Sequence, residues 1–175
     1  MKKFILLLIS IFMLQNSCLA KDMLQFDFPD QGWHKVESPD GVQSKKCYVP
    51  LNQTAQSYTE MFVFYERTVK NPGITAITIL QKQLGKDKNN YKDIHHQYIK
   101  QDFDDAMAIG CSELNSTCTI HRAFKGNEGI VMATYINKMP HYSQNLLTNK
   151  VNILGSVKLY DKANSQTSPS NLIQL

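Results

Sequence analysis

Beyond its first twenty residues, the 175-residue chain contains no apolar run near the ~20 residues that a membrane-spanning helix needs. No transmembrane segment is therefore expected in the chain that follows the leader. Cysteine is scarce, with four residues. None forms a Cys-x-x-Cys pair and no second ligand pair stands at zinc-finger distance, so no metal site is expected. Gly-x-Ser-x-Gly is absent, and "GKDKNN" (85–90) is not a phosphate-cradling P-loop. No cofactor is expected. A basic stripe is missing too, which argues against nucleic acid as a partner. No internal repeat is present. These absences leave no catalytic residue to assign.

What is present begins with "MKKFILLLISIFMLQNSCLA". Lys2 and Lys3 form a positive start, and Phe4 to Leu14 an apolar run broken only by Ser10. Cys18-Leu19-Ala20 then has the small-x-small pattern of a cleavage site. Residues 1–20 are expected to be a bacterial-style signal peptide cut after Ala20. Lipidation at Cys18 is the rival, but Gln15 and Asn16 occupy places that a lipobox fills with leucine and a small residue. Losing Lys2 and Lys3 takes the formal charge from +4 to +2. Roughly 155 residues remain, enough for one domain with a sizeable core. The address is the periplasm or the cell exterior.

That address bears on "CSELNSTC" (111–118). In an oxidising compartment two nearby thiols become a disulfide. A Cys111–Cys118 bridge would remove about 2–3 kcal/mol of denatured-chain entropy. Cys47 is then the odd thiol. In "KKCYVP" it alternates with Val49 as a small buried hydrophobe would; the rival readings are a link between two copies of the chain and a nucleophile, for which nothing nearby marks a reactive thiolate environment.

Turn signals at Asp30-Gln31-Gly32 and Ser38-Pro39-Asp40-Gly41 bound a short strand, "WHKVE", and "VQSKKCYVP" is the next. The run 58–69, "YTEMFVFYERTV", is the clearest strand. Met61, Val63 and Tyr65 share one side and Phe62 and Phe64 the other, as in a central strand covered on both faces. Ile74, Ile77, Leu80 and Leu84 recur at helical spacing before Gly85, a C-cap by type. Residues 91–108 suit a second helix through Tyr91, Ile94, Tyr98, Ile99, Phe103 and Met107, closed by Gly110. Alternating runs around Gly126-Asn127-Glu128-Gly129 spell a hairpin. Ser143 then caps a last helix carrying Leu146, Leu147, Val151 and Leu154. Residues 21–160 make one domain, and 161–175 a flexible tail. The order β-β-β-α-α-β-β-α implies an α+β fold, an antiparallel sheet packed against helices.

The segment "YVPLNQTAQSYTEMFVF" resembles one found in a group of small exported bacterial proteins of unassigned function, through Val49, Pro50, Gln53, Thr54, Tyr58, Thr59 and Glu60. The order of elements is similar to the PsbP-like α/β/α sandwich. That second resemblance implies an adaptor, since characterised PsbP-like domains are mostly extrinsic photosystem subunits and Ran-binding factors. None of their partner-binding residues matches a position here.

Tyr58, Thr59 and Glu60 are the candidate binding surface. His95 and His96, adjacent on the expected helix, would diverge by ~100° and could not grip one ion. Asp93 and His96 could share a face, but two ligands do not complete a site. His121 and His141 have no nucleophile at a motif spacing. The chain is therefore expected to be an exported, non-catalytic binding or accessory protein with a protein partner, and a cargo of type II secretion is one fate. The alternative is a small secreted hydrolase or metal-dependent enzyme using His96, His121 or Glu60.

Overall fold

The aromatic and β-branched run after Tyr58 forms the strand on which the larger sheet is built. In the computed structural model, which describes residues 23–28, 32–69, 73–126, 129–139, 143–160 and 172–174, this strand is β4 (Glu60–Thr68). It follows β1 (Met23–Gln25), β2 (Trp33–Val36) and β3 (Lys46–Pro50). Helix α1 (Ala76–Asn90) comes next, then β5 (His95–Gln101), β6 (Asp105–Ser112), β7 (Thr117–Lys125) and β8 (Gly129–Asn137). Helix α2 (Gln144–Ser156), β9 (Lys158–Tyr160) and β10 (Leu172–Gln174) complete the described chain. The leader with Cys18, residues 127–128 of the expected hairpin turn, His141, and residues 161–171 and 175 of the expected tail lie outside the described residues.

A seven-stranded sheet has the order β2-β3-β4-β8-β7-β6-β5, and a three-stranded sheet the order β10-β1-β9. Every strand pairing is antiparallel. The architecture is α+β, an antiparallel sheet with two helices packed on it. β4 lies between β3 and β8, and Met61, Phe62, Val63 and Phe64 are all buried. Period-two alternation sends them to opposite faces, as the sequence pattern implied.

Helix α1 lies over β6 and β7 on one face. Ile79, Leu80 and Leu84 pack there on Ala106, Ala108, Ala123 and Met132, and the small residues let the helix come close. Helix α2 lies over β7 and β8 on the other face. It shares that face with the small sheet, whose Leu24 and Ile173 join Phe26, Phe62, Phe64, Tyr135 and Leu154 in an aromatic core. The Phe26 ring meets Phe62 and Phe64 edge-on at 4.9 and 4.8 Å between centroids, a favoured aromatic geometry. Ser143 caps α2 through the Leu146 N–H.

Three expectations change. Residues 91–108 are not a helix but β5, the turn after it and the start of β6. Ile94, His96 and Tyr98 turn inward while His95, Gln97 and Ile99 face out, a period of two that apolar spacing alone had disguised. Ile99 is the extra residue of a bulge between Tyr98 and Lys100, which offsets the alternation. Gly110 lies inside β6 rather than closing a helix, and Gly85 lies inside α1, which runs on to Asn90. Within the expected tail, Leu172–Gln174 pairs with β1 and Ile173 is buried.

Candidate functional site

On the α1 face, period 3.6 puts Leu80, Leu84 and Asp87 on one stripe of the helix, so the carboxylate is carried inward with the leucines. Thr119 and His121 of β7 and Thr134 of β8 point to the same face, with His121 opposite Thr134 in register. Asp87 Oδ2 accepts hydrogen bonds from His121 Nε2 at 2.7 Å and Thr119 Oγ1 at 3.0 Å. Gln83 Nε2 donates to its other oxygen at 3.2 Å. His121 Nδ1 lies 2.9 Å from Thr134 Oγ1. All four central residues are buried. Burial alone would push the Asp87 carboxyl up, but the bonds from His121, Thr119 and Gln83 outweigh it and hold it below its ordinary range.

His96 completes the cluster from β5. Its Nε2 is 3.7 Å from Asp87 Oδ2, too far for a hydrogen bond. The side chain is only 5% exposed, and both ring nitrogens are buried without a hydrogen-bond partner. The ring lies against the backbone of Gly110, where an added Cβ would come within 2.3 Å of its Cδ2. Burial lowers the His96 pKa against the pull of Asp87. A cleft of about 350 Å³ between α1 and β5 reaches the ring, lined by Gln81, Leu84, Lys88, Ile94 and Tyr98.

Carboxylate, imidazole and hydroxyl stand here in the bonding order of a nucleophile triad. The Thr134 hydroxyl is sealed beneath α1, however, with the residue 6% exposed, so no acyl group can reach it. Among the described residues no group of three His, Cys, Asp or Glu is arranged to hold a metal ion.

The opposite face carries a second buried network, built on Glu60. Its carboxylate accepts from Tyr135 Oη at 2.6 Å and pairs with Lys150 Nζ at 3.1 Å. Asn137 Nδ2 donates to the same phenol at 3.1 Å. The ammonium lies 5.3, 5.5 and 5.7 Å from the ring centroids of Tyr135, Trp33 and Phe62, within cation–π reach. Burial, and then the bond to Glu60, push the Tyr135 phenol far above its ordinary value.

Tyr58, Thr59 and Glu60 therefore do not form one surface. Glu60 faces the core, Tyr58 is half-buried beneath Lys138 Nζ at 3.8 Å, and only Thr59 is exposed. Thr59 is held by Gln53, which accepts from its N–H at 2.7 Å and donates to its hydroxyl at 2.8 Å. Thr54 and Ser57 bond to each other at 2.9 Å. Residues 51–59 form a loop clamped by its own side chains. His96 and His121, by contrast, are brought to one cluster, while Glu60 lies across the sheet from both.

Cys111 and Cys118 are joined, opposite each other in the β6–β7 register. The staple thus closes that hairpin itself rather than the approach to the β7–β8 hairpin. Asp93, ahead of β5, accepts from Ser112 Oγ at 2.6 Å and the Leu114 N–H at 3.0 Å in the stapled turn. Cys47 is wholly buried beside Val49, Met61 and Val63, and burial raises its thiol pKa. A link between two copies through it would require the fold to open.

A groove runs between α2 and the β5–β6 edge in two adjoining hollows of about 560 and 410 Å³. Ile99, Met107, Ile109, Leu147 and Val151 line it. Arg122 closes one end: it forks onto Asp105 at 2.9 and 3.1 Å, and its Nη1 donates to the carbonyls of Leu154, Gly155 and Val157 at the end of α2. The Leu154 carbonyl also accepts from the Val157 N–H at 3.4 Å, and Arg122 adds a donor where the helix's own ladder runs out. Another hollow, about 450 Å³ over residues 35–45, lies away from both networks.

Sequence spacing missed Asp87 and Lys150, although each carried a signal. Asp87 follows Leu84 by three positions and Lys150 follows Leu147 by three, so both polar groups sit on an apolar stripe.

No protein-family model matches the chain, and no curated protein matches it in sequence. Among solved structures it is similar to cyanobacterial PsbP (CyanoP) from Synechocystis sp. PCC 6803. The identity there is 10%, with 83% of this chain and 96% of that one covered at a TM-score of 0.48. It is also similar to a mutant of protein Mog1, at 7% identity, 77% and 89% coverage and a TM-score of 0.43. Likenesses this distant say nothing about which residues act here.

Proposed function

We propose that the chain is an exported, non-catalytic binding protein that takes a strand-forming segment of a protein partner along β5 and the groove beside α2. The observation that carries this reading is the pairing of an open edge with an apolar trough. Among the described residues no strand covers the outer side of β5, and Ile99, which lines the trough, is 46% exposed. Phe103, in the turn that follows, is 74% exposed. An extended segment added at such an edge gains main-chain hydrogen bonds, and pockets for alternate side chains give selectivity. The bulge and Lys100 guard the far end of β5 in the manner of edges that resist unwanted pairing, which leaves His95–Tyr98 as the straight half.

The non-catalytic half of the reading is supported by the placement of the acid–base groups. Glu60 is on one face of the sheet, His96 and His121 are on the other, and of these only His96 borders a cleft, with its neighbours Asp87 on α1 and His121 on β7 both buried. The leader motivates the compartment, periplasm or exterior, with transfer by a type II machine as one fate.

A photo-crosslinking residue at Ile99 is expected to trap a partner from periplasm or culture supernatant, and one at Lys35 on the opposite edge strand is not. Ile99→Asp is expected to weaken capture at least tenfold at unchanged fold. Equal capture from both edges, or no capture together with turnover of a hydrolase substrate, overturns the proposal. The mass of the exported protein checks the compartment: a chain beginning at Lys21 is expected, and one beginning at an acylated Cys18 would contradict it.

A further inference from the structure

We infer that β5 is an acid-released edge: protonation of His96 frees this strand from β6 while the disulfide-bonded β6–β7 hairpin stays folded. The argument begins with what holds each strand. β6 is joined to β7 by the Cys111–Cys118 bond and by an unbroken register from Asp105 to Ser112. Among the described residues β5 has one neighbour, a register broken by the Ile99 bulge, and few inward side chains, chiefly His96 and Tyr98 with Ile94 just ahead of the strand.

Of these His96 is the anomaly. A buried polar group without a partner destabilises the folded state, and here both ring nitrogens lack one. The neutral ring is tolerated because Gly110 leaves it room. The protonated ring would carry two unsatisfied N–H groups and a full charge in a buried site.

The charged and titratable groups around it do not rescue that state. From α1, Asp87 is the only attractive one, at 3.7 Å, and the oxygen nearest His96 already accepts from His121 and Thr119. Lys88, also from α1, and His121, from β7, both oppose a charge on His96. β6 offers only the backbone of Gly110. Within β5, His95 and Tyr98 both border the cleft that reaches His96, and His95, being exposed, offers the ring no counter-charge.

A proton therefore binds His96 better once β5 has swung away and both ring nitrogens are in water. An imidazole held below its ordinary value when folded stabilises the closed state above about pH 6.5 and progressively less as pH falls below it. From about pH 7.5 to about pH 5 the opening equilibrium of β5 should rise, by at most roughly 30-fold, the limit for an imidazole that takes no proton while the strand is closed. This inference stands apart from the docking proposal, since the strand opens with or without a partner.

Native-state hydrogen exchange on the full chain tests it. Protection factors of the β5 amides are expected to fall severalfold, and by no more than roughly 30-fold, across that pH interval, with those of β7 and β8 unchanged, and to stay flat in His96→Gln. Unchanged β5 protection, an equal fall in His96→Gln, or a fall shared by β7 and β8 would overturn the inference. Should His96→Gln fail to fold, an NMR titration of the wild-type imidazole decides. A midpoint below the ordinary histidine value supports the latch, and one at or above it refutes it.

Discussion

The two faces of the seven-stranded sheet bury charge in different ways. Under α1 the strands offer Ala106, Ala108, Gly110 and Ala123, so the helix backbone lies near and a short Asp87 side chain reaches strand hydroxyls and an imidazole directly. Under α2 the strands offer Phe62, Phe64 and Tyr135, which hold the helix away, and only a side chain as long as Lys150 spans the gap to Glu60. One face surrounds an anion with hydrogen-bond donors. The other surrounds a cation with aromatic rings. The difference teaches that the size of strand residues sets which charge a helix can bury against them, because that size fixes the distance to be bridged.

The comparison breaks most sharply at Glu60. Removing one member of a buried pair costs about 3–5 kcal/mol, so Glu60→Ala should lower denaturant-measured stability by that order. Because Glu60 is the more exposed partner, at 17% of its side chain, the lower end applies. Glu60→Leu combined with Lys150→Met should recover most of the loss. A double variant weaker than either single one would refute the account of this network.

On the other face, Asp87→Asn keeps the shape and removes the charge, for an expected loss of about 2 kcal/mol. The sign with pH is definite. Asp87 titrates below its ordinary value when folded, so its stabilisation is present above about pH 4 and is lost as pH falls below that. Denaturation of Asp87→Asn should follow pH less steeply there than the wild type does. Asp105, paired with Arg122 and Lys100, also titrates low, so the difference between the two proteins is the quantity to read.

Tyr135→Phe sharpens the contrast with the smallest effect, about 1 kcal/mol near neutrality. Its phenol is held above its ordinary value, so the native state resists deprotonation and loses stability as pH rises beyond about 10. The variant should be flatter on the alkaline side and unchanged on the acid side. An altered acid limb would mean that the two networks are coupled through the sheet.

How much of this was legible follows from how local each signal is. β4 declared itself through a dense aromatic run, the β7–β8 hairpin through its flanking alternation, and α2 through Ser143 and its leucines. The stapled cysteines needed only their spacing and a compartment. Residues 91–108 misled because Tyr91, Ile94, Tyr98 and Phe103 satisfy helical spacing as well as strand alternation. Pairing of β5 with β6 and of β6 with β7, which the local pattern does not contain, decided between them. The polar networks were the least legible. Tyr135 and Glu60 bond across 75 residues of sequence, and Asp87 sat in a stretch whose composition suggested only a solvated connection. Tyr58 to Glu60 invited a binding role because the motif was recognisable, yet all three side chains engage other parts of the same chain.

The small sheet has a bearing on how the molecule is made. Its central strand β1 precedes the seven-stranded sheet in the chain and its flanking strands β9 and β10 follow it, so Phe26 cannot be roofed over until the whole of that sheet has been synthesised. Until then the largest cluster of rings stays open on one side. A truncation that removes only residues 172–174 would strip a strand from β1 while sparing the seven-stranded sheet, and the exposed rings would be an invitation to stick to other chains.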